Sequence, residues 1–246
     1  MPRPIVTEEA ALKTLVRKLR RLAPIDTEDE RQILSLSARA HRHDARRYLV
    51  REGSVPTECS LLVDGYAARS KVSADGGRQI LSFHFAGDLL DIQHLFLESA
   101  DHDVQTITDA NVVWIPMVEL RSLVALRPNI ATALVRDILI DASIFREWIL
   151  NLGRRDAKTR IAHMLCEFIT RSMAAGMGTP QRLELPFTQE EIGDATGLTP
   201  VHVNRMLKTL TEEGLIRREN RRLVVPDWPC FQRVAGFNEA YLHAAA

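Results

Sequence analysis

The sequence predicts an α+β fold with three parts: an N-terminal antiparallel β-roll, one long helix and a C-terminal winged helix-turn-helix. Three observations predict it. Between about positions 46 and 116, short apolar stretches are punctuated by Gly53, Gly65, Gly76-Gly77 and Gly87-Asp88. Strands at intervals of roughly 8–12 residues mark an antiparallel barrel or sandwich. From 128 to 152 the pattern is helical with no glycine or internal proline, and from Thr188 onward two capped helices precede an arginine-rich hairpin.

The totals set the limits. The 246 residues allow one large or two ordinary domains, and 46% apolar content supports a sizeable core. No apolar run approaches the ~18–20 residues that span a bilayer. The opening MPRPIVTEEAALKTL lacks the apolar centre of a signal peptide, and Cys59, Cys166 and Cys230 are too far apart for a disulfide framework. A cytoplasmic, membrane-free protein is expected. Net charge is zero, with 13 Lys+Arg against 11 Asp+Glu from Arg154 onward and 19 against 21 before it, so only local clustering of charge can indicate a partner.

The first expected helix covers 8–22, with Leu12, Leu15, Val16, Leu19 and Leu22 on one face and Pro24 stopping it. A second is expected over 27–38, opened by a capping box of Thr27 and Glu30. The strands follow as YLVREG, SLLVDG, AARSKVSADGG, RQILSFHFAGD and VQTITDANVVWIP, with Asp75-Gly76 as a hairpin turn and Ile80, Ser82 and His84 alternating on a half-buried strand. These segments form an expected domain at 1–127.

A long helix fills 128–153. Val135, Ile138, Ala142, Phe145, Ile149 and Leu152 alternate at spacings of 3 and 4, the seam of a two-stranded coiled coil. Leu134, Leu139, Ile144 and Trp148 add a second apolar stripe beside it. A helix lying on its own barrel explains one stripe. Two stripes call for two partners, the barrel and a second subunit.

The third domain is expected at 154–246. After a helix at Ala157–Ala174 with Ile161, Leu165, Phe168 and Ile169 inward, TQEE at 188–191 forms a capping box, and Gly197 permits a sharp turn. Thr199 caps the next helix with Pro200 at its first position. Val203, Met206, Leu207 and Leu210 make the inner stripe, while Val201, Asn204, Arg205 and Lys208 face outward with His202 on the flank. This is a helix-turn-helix whose second helix suits the major groove of double-stranded DNA. Arginine pairs with guanine O6 and N7, asparagine with adenine N6 and N7, valine touches a thymine methyl, and the amino end near Thr199 can receive a phosphate. A hairpin turning at Glu219-Asn220 follows. Arg217, Arg218, Arg221 and Arg222 flank it as a wing on the phosphates.

The glycines of VREG, LLVDG and FAGD, the long helix, and TQEEIGDATGLTPVHVNRMLKTLTEEGLI together resemble the Crp/Fnr superfamily of bacterial transcription regulators over nearly the whole chain. The resemblance implies a cyclic-nucleotide-binding-like roll, a homodimer through the long helix, a pseudo-palindromic operator and RNA polymerase as a partner. It puts the base-reading arginine on Arg205 and places Val201 where many members have glutamate, so the half-site departs from the commonest consensus.

The signal is less legible. Cyclic-nucleotide-binding members use Gly-Glu and a later Arg-Ser or Arg-Thr. Here Gly87-Asp88 stands for the first pair, Ala100, Asp101, His102 and Asp103 occupy the second region, and no arginine lies between Arg78 and Arg121. Carboxylates in place of a guanidinium oppose a cyclic phosphate. The expectation is a regulator without cyclic-nucleotide control and with no cofactor or metal. The alternatives are a cyclic-nucleotide response, with Arg69 or Arg78 replacing the missing arginine, or redox or metal sensing by Cys59 or by His41, His43, His84, His94 and His102. No cysteine precedes Cys59, so a four-thiolate cluster within one subunit is excluded. An enzyme is disfavoured because phosphate-loop, HExxH, GxSxG and CxxC motifs are lacking. An effector-binding module without DNA contact leaves Asn204, Arg205 and the arginine hairpin unexplained.

Overall fold

The computed structural model describes residues 6–179, 183–219 and 222–243. Helix α1 (Glu8–Leu22) begins where Thr7 accepts the Ala10 N–H, and Glu8, Glu9, Arg20 and Arg21 complement its dipole. Its apolar stripe is buried as expected, except that Leu22 is half-buried. Helix α2 (Thr27–Leu34) starts one residue earlier in its capping than Thr27 and Glu30 suggest. Asp26 and Asp29 cap each other reciprocally at 2.7 and 3.1 Å, and Asp29 is fully buried against Arg127 at 2.6 Å. The helix stops at Leu34 rather than Ala38, because the chain is drawn into the first strand.

That strand, β1 (Arg39–His43), is followed by β2 (Tyr48–Val50), β3 (Glu58–Leu62), β4 (Ala67–Val72), β5 (Arg78–His84), β6 (Asp103–Thr106) and β7 (Ala110–Pro116). They form antiparallel sheets in the orders β1-β7-β3 and β2-β6-β4-β5. The roll thus begins before Arg46, and VQTITDANVVWIP divides into two strands that join different sheets. Neighbouring residues serve opposite faces: Leu61, Val113 and Ile115 join a core with Leu15, Leu19 and Met117, while Leu62 and Val112 join another with Val104 and Leu90. A strand buried on both faces loses the alternation that would mark it in sequence.

Helix α3 (Met117–Leu126) was not foreseen; Pro116 precedes it without a side-chain cap. Helix α4 (Pro128–Arg154) continues through Gly153, and the break comes where Asp156 accepts the Thr159 N–H at 2.9 Å and opens α5 (Ala157–Ala174). Then come β8 (Leu183–Glu184), α6 (Gln189–Thr196), α7 (Pro200–Glu212), β9 (Arg217–Glu219), β10 (Arg222–Val224), α8 (Trp228–Ala235) and a 3₁₀ turn at Glu239–Leu242. The short strands order as β8-β10-β9. The chain divides into two compact units, one reaching to Lys71 and then from Phe83 to Ala142, the other made of Val72–Ser82 and Ser143–His243. Helix α4 contributes to both.

Candidate nucleic-acid interface

Two capped helices and two glycines build the reader. Thr188 and Glu191 complete the expected capping box of α6. Gly197 sits in the left-handed region at φ 66°, which favours glycine, and a Cβ at Gly193 would run into the Leu198 carbonyl oxygen. The α6–α7 turn is therefore tight at both ends. Thr199 accepts the His202 N–H at 3.3 Å, with Pro200 in the first turn. Arg160 donates to the Thr196 carbonyl at 2.8 Å, and Arg78, in the Val72–Ser82 segment of this unit, pairs with Asp194 at 2.7 Å.

Val203, Leu207 and Leu210 are buried, whereas Met206 is only half-buried. The opposite face is open: Val201 is 82% exposed, Asn204, Arg205 and Lys208 are exposed, and His202 is half-buried. Arg205 has no side-chain ion pair or hydrogen bond among the described residues, and Lys208 makes only a 3.6 Å contact with exposed Glu212. Gln189 of α6 donates to the Asn204 side-chain oxygen at 3.1 Å, which sequence reasoning missed. Its place one residue after the Thr188 cap was the available signal. In the hairpin Arg217 and Arg222 are exposed, and Arg222 pairs with Glu219 across the strands. Arg218 lies opposite Leu223; its side chain, like the expected turn residue Asn220 and like Arg221, lies outside what is described.

The family model of the Crp-like helix-turn-helix domain matches residues 159–234, and that of the cyclic nucleotide-binding domain matches residues 40–126. The chain thus carries, in order, the two domains found in Crp/Fnr-type transcription regulators. It is 29% identical over 201 residues to a Rhizobium leguminosarum bv. viciae protein described as a probable transcriptional activator, covering 79% of this chain and 82% of that one. It is 26% identical over 187 residues to the cAMP-activated global transcriptional regulator CRP of Salmonella typhimurium, covering 75% and 88%. The structure of FixK2 from Bradyrhizobium japonicum shares the fold at TM-score 0.73 and 24% identity, over 81% of this chain and 98% of that one.

In the roll, the acid that follows Gly87 already has partners. Asp88 accepts the Phe85 N–H at 3.0 Å, lies 3.5 Å from buried His84, and holds Lys18 of α1 at 2.8 Å. The same ammonium reaches Asp137 of α4 at 2.7 Å. Burial opposes the charge on Lys18, yet Asp137 and Asp88 together hold its pKa above the usual value. Burial raises the Asp137 carboxyl and lowers His84. Arg69 is buried, donating to the Leu90 carbonyl at 2.9 Å and lying 3.7 Å from Asp141. Lys18 was also missed from sequence. It flanks the apolar stripe and has no acid three or four residues away on its own helix.

Other expected signal residues are dispersed. Asp103 is buried and accepts the Glu52 N–H at 2.9 Å, while Asp101 is exposed and bonds His102 at 2.7 Å. His94 and His102 lie 3.1 and 3.5 Å from buried Asp91, while on β1 His41 is exposed and His43 half-buried. Cys59 is fully buried, and burial pushes its thiol up to about 12. Among the described residues no group of His, Cys, Asp and Glu is arranged to hold a metal ion, and no helix is long and apolar enough to cross a membrane.

On α4, Val135, Leu139, Ile149 and Leu150 are exposed, and Ile138, Ala142, Phe145 and Leu152 are half-buried. Leu134, Ile144 and Trp148 are buried as the second stripe predicts. Leu139 is not, and its exposure moves it to the open stripe. At 100° per residue Leu139 falls beside Val135 and Ala142, and Leu152 falls at the margin.

Proposed function

We propose that this chain is a sequence-specific DNA-binding transcription regulator that acts as a homodimer on a pseudo-palindromic operator, without cyclic-nucleotide control. The observation that carries the DNA reading is the open face of α7, where Val201, Asn204, Arg205 and Lys208 stand exposed behind the Thr199 cap. Arg205 offers a guanidinium fork to guanine, and Asn204, steadied by Gln189, is beside it. Thr199 and His202 border the helix amino end, where a phosphate fits. Arg217 and Arg222, with Arg218 and Arg221 of the same hairpin, supply phosphate contacts that position without specifying. RNA polymerase is the remaining partner of this reading.

The homodimer follows from α4. Val135, Ile138, Ala142 and Ile149, joined by Leu139 and flanked by Phe145 and Leu152, offer a partly exposed apolar stripe at the spacing of a coiled-coil seam, which a second copy would cover. Phe145→Glu is expected to give folded monomers with weak operator binding, read by sedimentation.

Independence from cyclic nucleotides rests on Lys18. Its ammonium neutralises Asp88, and Arg69 and Arg78 are engaged with Asp141 and Asp194 rather than held in reserve. The match of residues 40–126 to the cyclic nucleotide-binding family favours a ligand-responsive reading, which requires Lys18 to leave Asp88. Calorimetry with cyclic AMP and cyclic GMP, followed by mobility shift on operator DNA, decides between them. We expect no saturable heat at micromolar nucleotide and unchanged DNA affinity. Saturable heat with tighter DNA binding would establish the ligand-responsive reading instead.

A further inference from the structure

Three residues at four-residue spacing on α5, His163, Glu167 and Arg171, face one side of the helix. Glu167 is only 2% exposed, an expensive place for a carboxylate unless donors surround it. They do. Trp148 of α4 gives its indole N–H at 3.0 and 3.1 Å to the two oxygens, the Tyr241 hydroxyl donates at 2.8 Å, and Arg171 lies at 3.4 Å. One carboxylate therefore joins α4, α5 and the 3₁₀ turn near the C-terminus.

The segment after α8 is built to reach that carboxylate. Gly236 ends the helix in the left-handed region at φ 56°, and Phe237 and Leu242 are buried. The Tyr241 ring stacks on His163 at 6.0 Å between centroids, with Phe237 meeting the same imidazole edge-on at 5.3 Å. His163 also contacts the Ala235 carbonyl at 3.3 Å. These contacts lie beyond or at the margin of the matched helix-turn-helix family region, which ends at residue 234.

We propose that residues 236–242 form a positioning arm, in which Tyr241, acting through Glu167, fixes α5 against the end of α4 and so sets the orientation in which the α6–α7 reader is presented to DNA. Tyr241 touches no base in this arrangement. It governs geometry between the two readers of a dimer, so the inference rests on the homodimer reading above. Its loss affects an operator that must satisfy two half-sites together and leaves a single half-site largely unaffected.

The test is Tyr241→Phe, which keeps the stacked ring and removes the hydroxyl that donates to Glu167 and also lies 3.3 Å from His163 Nε2. In a background with Trp114 and Trp228 replaced by phenylalanine, the emission of Trp148 should shift, because its hydrogen-bond acceptor has lost a partner. Unchanged emission overturns the proposal. On DNA, affinity for the full operator should fall about tenfold, affinity for an isolated half-site should stay within about twofold, and the preferred half-site spacing should broaden. Equal losses on half-site and full site, or an unaltered full-site affinity, also overturn it. Glu167→Gln should produce the same spacing phenotype, and combining it with Tyr241→Phe should add little; additive losses would argue against action through Glu167. If the parent protein gains nothing from a second half-site, the homodimer reading fails, and the Trp148 emission alone then decides the link between arm and helix.

Discussion

On α7 the guanidinium of Arg205 stands in solvent without an ion pair among the described residues, whereas in the roll the ammonium of Lys18 lies between two carboxylates, Asp88 and Asp137, at 2.8 and 2.7 Å. Both are cations placed by an amphipathic helix. The difference is in what completes them. An exposed, unpaired guanidinium keeps its hydration until a base or phosphate replaces it, so its free energy is available to an outside partner. A cation with 21% of its side chain exposed and two internal partners has already been satisfied by its own fold. The same reasoning separates the exposed arginines of the wing from Arg69, which is turned inward to Leu90 and Asp141.

The sharpest way to break this comparison is Lys18→Ala. Removing one member of a largely buried charge cluster leaves Asp88 and Asp137 uncompensated, and about 3 kcal/mol of stability should be lost. Denaturant midpoints measure it, and the variant Lys18→Met/Asp88→Asn/Asp137→Asn should recover most of the loss. If Lys18→Ala unfolds like the parent, the internal pairing does not stabilise the roll.

Acid titration tests a second internal group. Burial, helped by Arg155 and opposed by Glu147, lowers His163 to about 4, against about 6.5 when unfolded. Between those values the unfolded chain binds more protons, so stability is lost as pH falls from about 6.5 towards 4, by at most about 1.4 kcal/mol per pH unit. The buried Glu167, whose carboxyl is raised by burial, pulls the other way, so the measurement is the difference between parent and His163→Gln. Identical slopes for the two proteins from pH 7 to 5 would contradict the assignment.

Arg205→Ala should leave stability unchanged and cost ~1–3 kcal/mol of binding, with relaxed preference at one base pair per half-site. The smallest effect is expected from Arg217→Ala. It should weaken all DNA sequences alike by less than about 1 kcal/mol and reduce the salt slope by ~1. A loss of specificity from Arg217→Ala equal to that from Arg205→Ala would erase the distinction between reading and gripping.

The reader was legible in sequence because every device in it is local. The Thr188–Glu191 box, the Thr199 cap with Pro200, and the apolar spacing of Val203, Leu207 and Leu210 each lie within a few residues of one another. The roll was legible as a texture of glycines, but β7 and α3 were not resolved, since residues buried on both faces lose period 2 and Pro116 supplies no cap. Lys18 escaped because its partners stand far along the chain. Tyr241 escaped because a lone tyrosine in the tail gives no sign of the glutamate it will meet. Leu139 was assigned to the wrong stripe of α4, since both stripes are apolar and only burial tells them apart.

The span between Lys18 and its first carboxylate partner also fixes an order of events. Asp88 follows 70 residues later. At about 5–20 residues per second of synthesis, α1 waits roughly 4–14 s for it. Helix α1 has 15 residues, at the upper edge of the length at which an isolated helix is marginal in water, and it has Leu12, Leu15, Val16 and Leu19 to cover. Asp137 arrives later still. The newborn chain therefore carries α1 with its apolar face uncovered through the making of most of the roll. The emergence of the long helix provides the last surface that seals it.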